Sequence, residues 1–323
     1  MDSLEIWKNE LSSCLLELSD ILQIETITRL VPKSCTKLIL IPYRYLHFSP
    51  LHALLVSNSE LLFEKFTDGV SYAPSCQILQ QIQQRDFSDS QTLFAIQNPT
   101  NNLRSLSYAN LEVEAIQTLF SSSQVLSKEK ATKENVNLVI ANRKDQQIFH
   151  FACHGAFHLV NPLESNLALA EDESLTLGNL FEEKYSLNRC NLVVLSACET
   201  GLIDYENDSD EYIGLPGGFL YAGSSSVVSS LWKVQDISTA FLMIKFYQNL
   251  FLYKAVAIAL NHAQIWLRNL TKKELQEWIA ESEISLGATL NVNLHRRLHK
   301  MSDNEKLFKS PFHWAAFCVI GQP

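Results

Sequence analysis

An α/β fold with a mainly parallel central sheet is the architecture this sequence predicts, and three observations carry the prediction. Apolar runs of strand length alternate with amphipathic segments of helix length, the pattern of strands linked by helices. Leu192, Val193, Val194 and Leu195 are apolar at successive positions, so both faces of that strand are buried, as in a parallel sheet covered by helices. Between the apolar segments Gln147–Ala152 and Asn191–Ala197 lies a helix-length stretch, Thr176–Glu183, that serves as a crossover.

The elements follow in order. Residues 1–36 place Leu4, Trp7, Leu11, Leu15, Leu18 and Leu22 at helical spacing, which predicts one or two amphipathic helices. No repeat of tetratricopeptide length is visible there. Two short strands, Leu38–Ile41 and Thr92–Ile96, flank a helix over Ser75–Arg85. Helices over Ala109–Phe120 and Thr132–Asn142 precede the two apolar strands. Ile213–Ala222 reads as a helix and Ser225–Leu231 as a strand. Three helices follow, over Ser238–Leu252, Lys254–Leu270 and Lys272–Glu281. Ser282–Ser310 is polar and irregular, and Trp314–Ile320 is apolar throughout, which makes it a buried strand. The expected division is a helical segment over 1–36 and one domain over 37–323, with an N-terminal part (37–145) and a second part (146–323).

Composition narrows the function. The chain has 323 residues, is 46% hydrophobic and carries a formal net charge of −9. That balance argues against direct nucleic-acid binding, since neutralising phosphates needs a basic surface. No apolar run approaches the ~18 residues of a membrane span, so no membrane partner is expected. The seven cysteines are odd in number and irregularly spaced, and the opening residues lack the basic and apolar regions of a secretory signal. The expectation is a cytoplasmic protein with free thiols.

Two strand ends concentrate the chemistry. His154 stands in His150-Phe151-Ala152-Cys153-His154-Gly155, and Cys198 in Leu195-Ser196-Ala197-Cys198-Glu199-Thr200-Gly201. Open α/β sheets bind ligands at the carboxyl ends of their strands. A thiol and an imidazole there suit nucleophilic catalysis, with Cys198 as nucleophile and His154 as general base. The alternative for Cys198 is a small buried hydrophobe, the reading that suits Cys190 and Cys318. His150 lies within its strand and is expected to pack there; His158 follows the turn and is expected to be exposed. Cys153, next to His154 on a strand, points to the opposite face and is expected to be a packed thiol. His150, Cys153, His154 and His158 lack the second ligand pair of a zinc site, so no metal and no cofactor are expected. The acidic stretch Asp204, Glu206, Asp208, Asp210 and Glu211 is either a solvated loop or a subsite favouring basic substrate side chains. Ser229-Ser230-Leu231-Trp232 ends a strand nearby and is a candidate to pair with substrate backbone through Ser230 and Trp232, the alternative being that Trp232 caps the core. Leu215-Pro216-Gly217-Gly218-Phe219 lacks the lysine of a phosphate loop.

The blocks resemble the CHAT family, caspase-like domains often found behind tetratricopeptide repeats. The resemblance rests on Leu38–Pro42 with Leu51-His52-Ala53-Leu54, on Tyr72-Ala73-Pro74-Ser75, on the stretch His150–Leu167 and on Val194–Gly201. It continues through Phe219–Gly223, Ser229–Trp232 and Pro311–Phe317. It implies a caspase-like three-layer sandwich, a mainly parallel sheet flanked by helices. It implies a caspase- or separase-like cysteine endopeptidase in signalling or defence, with Cys198 and His154 as dyad and the backbone amides of Gly155 and Cys198 as oxyanion donors. The expected partners are a protein or peptide substrate, with Asp210 and Glu211 biasing one subsite, and a regulatory protein or helical-repeat partner that activates the chain. The other function class left open is a non-catalytic caspase-like interaction module.

Overall fold

The computed structural model describes the chain except for residues 1–2, 58–59, 86–91, 101–105, 143–146, 159, 188–189, 198–212, 234–235, 283 and 323. The first half runs α1 (Ser3–Ile21), α2 (Ile24–Leu30), β1 (Leu38–Leu40), α3 (Leu62–Lys65), β2 (Val70–Tyr72), α4 (Cys76–Gln83) and β3 (Thr92–Gln97). It continues with α5 (Ser107–Gln117), β4 (Ser122–Ser127), α6 (Lys133–Asn142) and β5 (Ile148–Ala152). Next come β6 (Gly155–Ala156), β7 (Asn166–Ala168), β8 (Ser174–Thr176), α7 (Leu177–Leu180), β9 (Leu192–Leu195), α8 (Leu215–Ala222) and β10 (Ser226–Ser230). The chain ends with α9 (Asp236–Tyr253), α10 (Val256–Asn269), α11 (Lys272–Glu281), α12 (Ala288–Leu298), α13 (Pro311–Trp314) and β11 (Phe317–Gly321).

The apolar runs become the middle of an eight-stranded sheet among the described residues, in the order β1-β2-β11-β10-β9-β5-β3-β4. β4, β3, β5, β9 and β10 run parallel; β11 pairs antiparallel with β10 and parallel with β2, which is parallel to β1. Every residue of β5, β9, β10 and β11 is buried, as strands covered on both faces must be. Successive side chains of β5 identify the two covering layers. His150 meets Tyr247 of α9 and Glu112 of α5, while Phe151 packs 5.5 Å from Phe219 of α8. The result is a three-layer α/β sandwich with helices on both sides of the sheet.

Three expectations need correction. The helix expected over Thr176–Glu183 is the single turn α7, started by a Thr176–Asn179 capping box and preceded by a three-stranded antiparallel sheet, β6-β7-β8. β2 and β4 are additional strands; β4 is polar and lies at the sheet edge, with five of its six side chains exposed or half-buried. The stretch Ser282–Ser310 holds α12. Residues 1–36 form α1 and α2 as expected, and Leu11 and Leu15 of α1 are buried in the main core.

Candidate active site

β5 and β9 are neighbours, and their register sets the site. The pairs Ile148–Leu192, Phe149–Val193, His150–Val194 and Phe151–Leu195 each differ by 44 in residue number. His154 and Cys198 also differ by 44. His154 lies just past the carboxyl end of β5 and is half-buried. Cys198 lies outside the described residues, as do Asp210 and Glu211. Ala197, which precedes Cys198, is described and buried.

Local hydrogen bonds fix both strand ends. Asn98, at the end of β3 with φ of 42°, donates its amide to Ala152 O at 2.8 Å. A left-handed backbone suits asparagine better than most residues, and here it turns the chain while clamping the last residue of β5. His154 O accepts from Ala168 N of β7 at 2.8 Å. That bond makes the adjacent Gly155–Leu167 couple a non-hydrogen-bonded antiparallel pair, so the Gly155 amide is directed away from β7. On the second strand, Ser230 Oγ donates to Ala197 O at 2.8 Å. Ser230 is fully buried, so its hydroxyl holds the residue next to Cys198. The Ser230–Ala197 and Asn98–Ala152 bonds each join residues far apart in the chain, so neither is readable from local sequence pattern.

The other end of the expected substrate strand is similarly occupied. β10 pairs with β11 along Ser226–Ser230, and the Leu231 amide donates to Ala316 O at 2.8 Å. Trp232 is half-buried; its Nε1–H donates to Phe312 O at 3.1 Å, and its ring meets Trp7 of α1 edge-to-face at 5.4 Å.

The remaining histidines and thiols separate by environment. His150 is fully buried, with Nδ1 3.1 Å from Tyr247 Oη and Nε2 3.0 Å from Glu112 Oε1, an ion-pair approach without hydrogen-bond alignment. Burial and the nearby Glu112 carboxylate push the Tyr247 hydroxyl well above its ordinary pKa. His158 is exposed; Asn161 N donates to its Nδ1 and Nε2 lies 3.6 Å from Glu164 Oε2. Cys153, Cys190 and Cys318 are buried, and desolvation pushes the Cys318 thiol up to about 12. Cys14, Cys35 and Cys76 are exposed. Among the described residues, no cluster of three histidine, cysteine or carboxylate side chains is disposed to hold a metal.

This architecture is similar to that of the separase chain in two crystal structures of the Saccharomyces cerevisiae separase–securin complex. The 3.0 Å structure gives a TM-score of 0.54 at 13% identity over 88% of this chain, and the 2.6 Å structure gives 0.53 at 13% identity over 88%. This chain spans only 15% and 16% of the length of those chains, so the likeness concerns the fold. No curated protein sequence matches. The profile of the CHAT domain matches residues 13–322, nearly the whole length, and the chain therefore belongs to the CHAT family.

Proposed function

We propose that this chain is a cysteine endopeptidase that hydrolyses a protein substrate through Cys198 and His154. The observation that supports the reading is that β5, which ends two residues before His154, and β9, which ends three residues before Cys198 in the sequence, are adjacent parallel strands of the sheet. His154 takes the Cys198 proton, or holds the thiolate as an imidazolium pair. The sulfur adds to the scissile carbonyl, and the amides of Gly155 and Cys198 hold the resulting oxyanion. The outward direction of the Gly155 amide supports that role, and one such donor contributes about 3–4 kcal/mol in comparable sites. Collapse of the intermediate breaks the C–N bond, and the imidazolium gives its proton to the departing amine. Water, deprotonated by His154, then hydrolyses the thioester.

Substrate backbone is best accommodated beyond Leu231, at Trp232 and Lys233, because the β11 side of Ser226–Ser230 is already paired. Asp210 and Glu211 bias a subsite toward lysine or arginine. The free thiols suit a reducing, cytoplasmic setting, and a regulatory protein partner is the proposed activator. Cleavage of a peptide library by the wild type tests the reading. Cys198→Ala and His154→Ala should each abolish cleavage while Cys153→Ala retains it. Full activity in either of the first two variants would remove the dyad.

A further inference from the structure

The chain is acidic overall, yet one cleft is lined by cations. Between α11 and α12 lies an open cleft of about 540 Å³, lined by Lys272, Gln276, His295, Arg296, Leu298, His299 and Lys300. Small-ligand sites commonly span ~300–1,000 Å³. Buried Leu294 and Leu298 anchor α12, which turns His295, Arg296 and His299 outward. His295 and the C-cap residue His299 are four residues apart and share one side of the last helical turn, and Lys300 follows in the turn just past it.

Two features mark the cleft as more than a solvated helix end. First, the described carboxylates leave most of it uncompensated. Lys272 pairs with Asp303 at 3.0 Å, whereas none of the ion pairs among the described residues involves Arg296, Lys300, His295 or His299. Second, the walls are clasped. Lys272 N donates to Glu305 O at 3.0 Å, Lys273 N to Asp303 O at 3.1 Å, and Lys272 Nζ to Met301 O at 3.1 Å. A Thr271–Glu274 capping box starts α11 at the same point. The negative end of the α12 dipole offsets a fraction of one charge, less than the cations gathered there.

We propose that this cleft binds a small ligand carrying clustered phosphates. Arginine offers a planar fork to phosphate oxygens and the lysines add point charges. A single phosphate would engage one or two of these groups; Arg296, Lys300, His295 and His299 together offer donors for two or more. The volume holds a ligand of nucleotide size, not a nucleic-acid duplex.

Calorimetric titration of the full chain with inorganic tripolyphosphate tests this, independently of any peptidase activity. Saturable binding is expected, weakened at least about tenfold by Arg296→Ala with Lys300→Ala, since charge-assisted bonds of this kind carry roughly a decade each. Both side chains are exposed, so the double variant should melt as the wild type does. If it does not, Arg296→Gln alone must still weaken binding. Tighter binding of a nucleoside triphosphate than of tripolyphosphate would assign the ligand as a nucleotide, and equal binding would assign the phosphates alone. No saturable heat, unchanged affinity in the variants, or equal binding of hexaglutamate would overturn the proposal.

Discussion

Ser230 condenses how single residues shape this site. Its hydroxyl is buried and bonded to Ala197 O, one residue before Cys198. Ser230→Ala removes that bond, at a cost of about 0.5–1.5 kcal/mol in denaturant-unfolding experiments. If Ser230 acts as a positioning residue, the variant should also slow alkylation of Cys198 and lower kcat more than it raises KM; a stability loss with unchanged Cys198 reactivity would reduce it to a structural bond. His52 makes a different prediction. Fully desolvated beside Tyr72 and Gln264, its imidazole is pushed down to about 3 from an ordinary 6.5, and burial lowers His313 to about 4, with Arg297 and Lys8 adding to the effect. Below pH 6.5 the unfolded chain binds protons that the native state refuses. Stability is therefore complete above that pH and falls as pH drops from 6.5 toward 3–4, by up to about 1.4 kcal/mol per unit for each histidine. Denaturation midpoints at pH 7 and 5 should show the loss, and His52→Gln should flatten it; a flat profile in the wild type would contradict neutral buried histidines. Residue by residue, the sequence separated His150, Cys153 and His158 correctly because strand alternation and the turn decide their exposure. The bond from Ser230 to Ala197 was not legible, because Ala197 lies past the end of another strand, 33 positions away.

At the level of elements, legibility followed burial. β5, β9, β10 and β11 announce themselves as continuous apolar runs because both faces are covered. β4 is an edge strand with the sequence SSQVLS, whose largely unburied side chains leave little apolar signal. The β6-β7-β8 sheet is built from pieces of two and three residues, below the length at which a period is readable. α12 was missed although Leu290, Leu294 and Leu298 recur every fourth residue, because the intervening residues are polar and the stripe is narrow. α8 shows the reverse case: its Pro-Gly-Gly opening obscured the start, yet the helix packs because Gly218 has no side chain. A Cβ there would collide with Leu177 Cδ1 and sit 3.0 Å from Leu180 Cδ1 of α7. Gly218→Ala should destabilise the protein by about 1–3 kcal/mol, the usual range for overpacking. A thermal melt unchanged from wild type would show that the α7–α8 contact is loose.

Across the whole molecule, the N-terminal helix is joined to the proposed catalytic edge. Trp7 packs edge-to-face on Trp232 at 5.4 Å and on Phe312 at 5.9 Å, and Lys8 Nζ lies 4.3 Å above the Phe312 ring. Trp7→Ala should lower the melting midpoint by a few degrees and, by loosening Trp232, raise KM for a peptide substrate more than it lowers kcat. Equal KM in wild type and variant would separate α1 from substrate binding. The fold class was legible over nearly the full length, since motif order and strand pattern agreed. The packing of α1 on Trp232 was not, because amphipathic spacing reports a buried face and not its partner.

The central claim is the Cys198–His154 dyad, and thiol reactivity tests it most directly. The full chain is treated with iodoacetamide over a time course at neutral pH, and each cysteine is followed by peptide mass spectrometry. The account predicts that Cys198 alkylates fastest, ahead of the exposed Cys14, Cys35 and Cys76, that buried Cys153, Cys190 and Cys318 lag, and that His154→Ala brings Cys198 down to the rate of the exposed thiols. Alkylation of Cys198 no faster than Cys14, Cys35 and Cys76, with no change in His154→Ala, would contradict it.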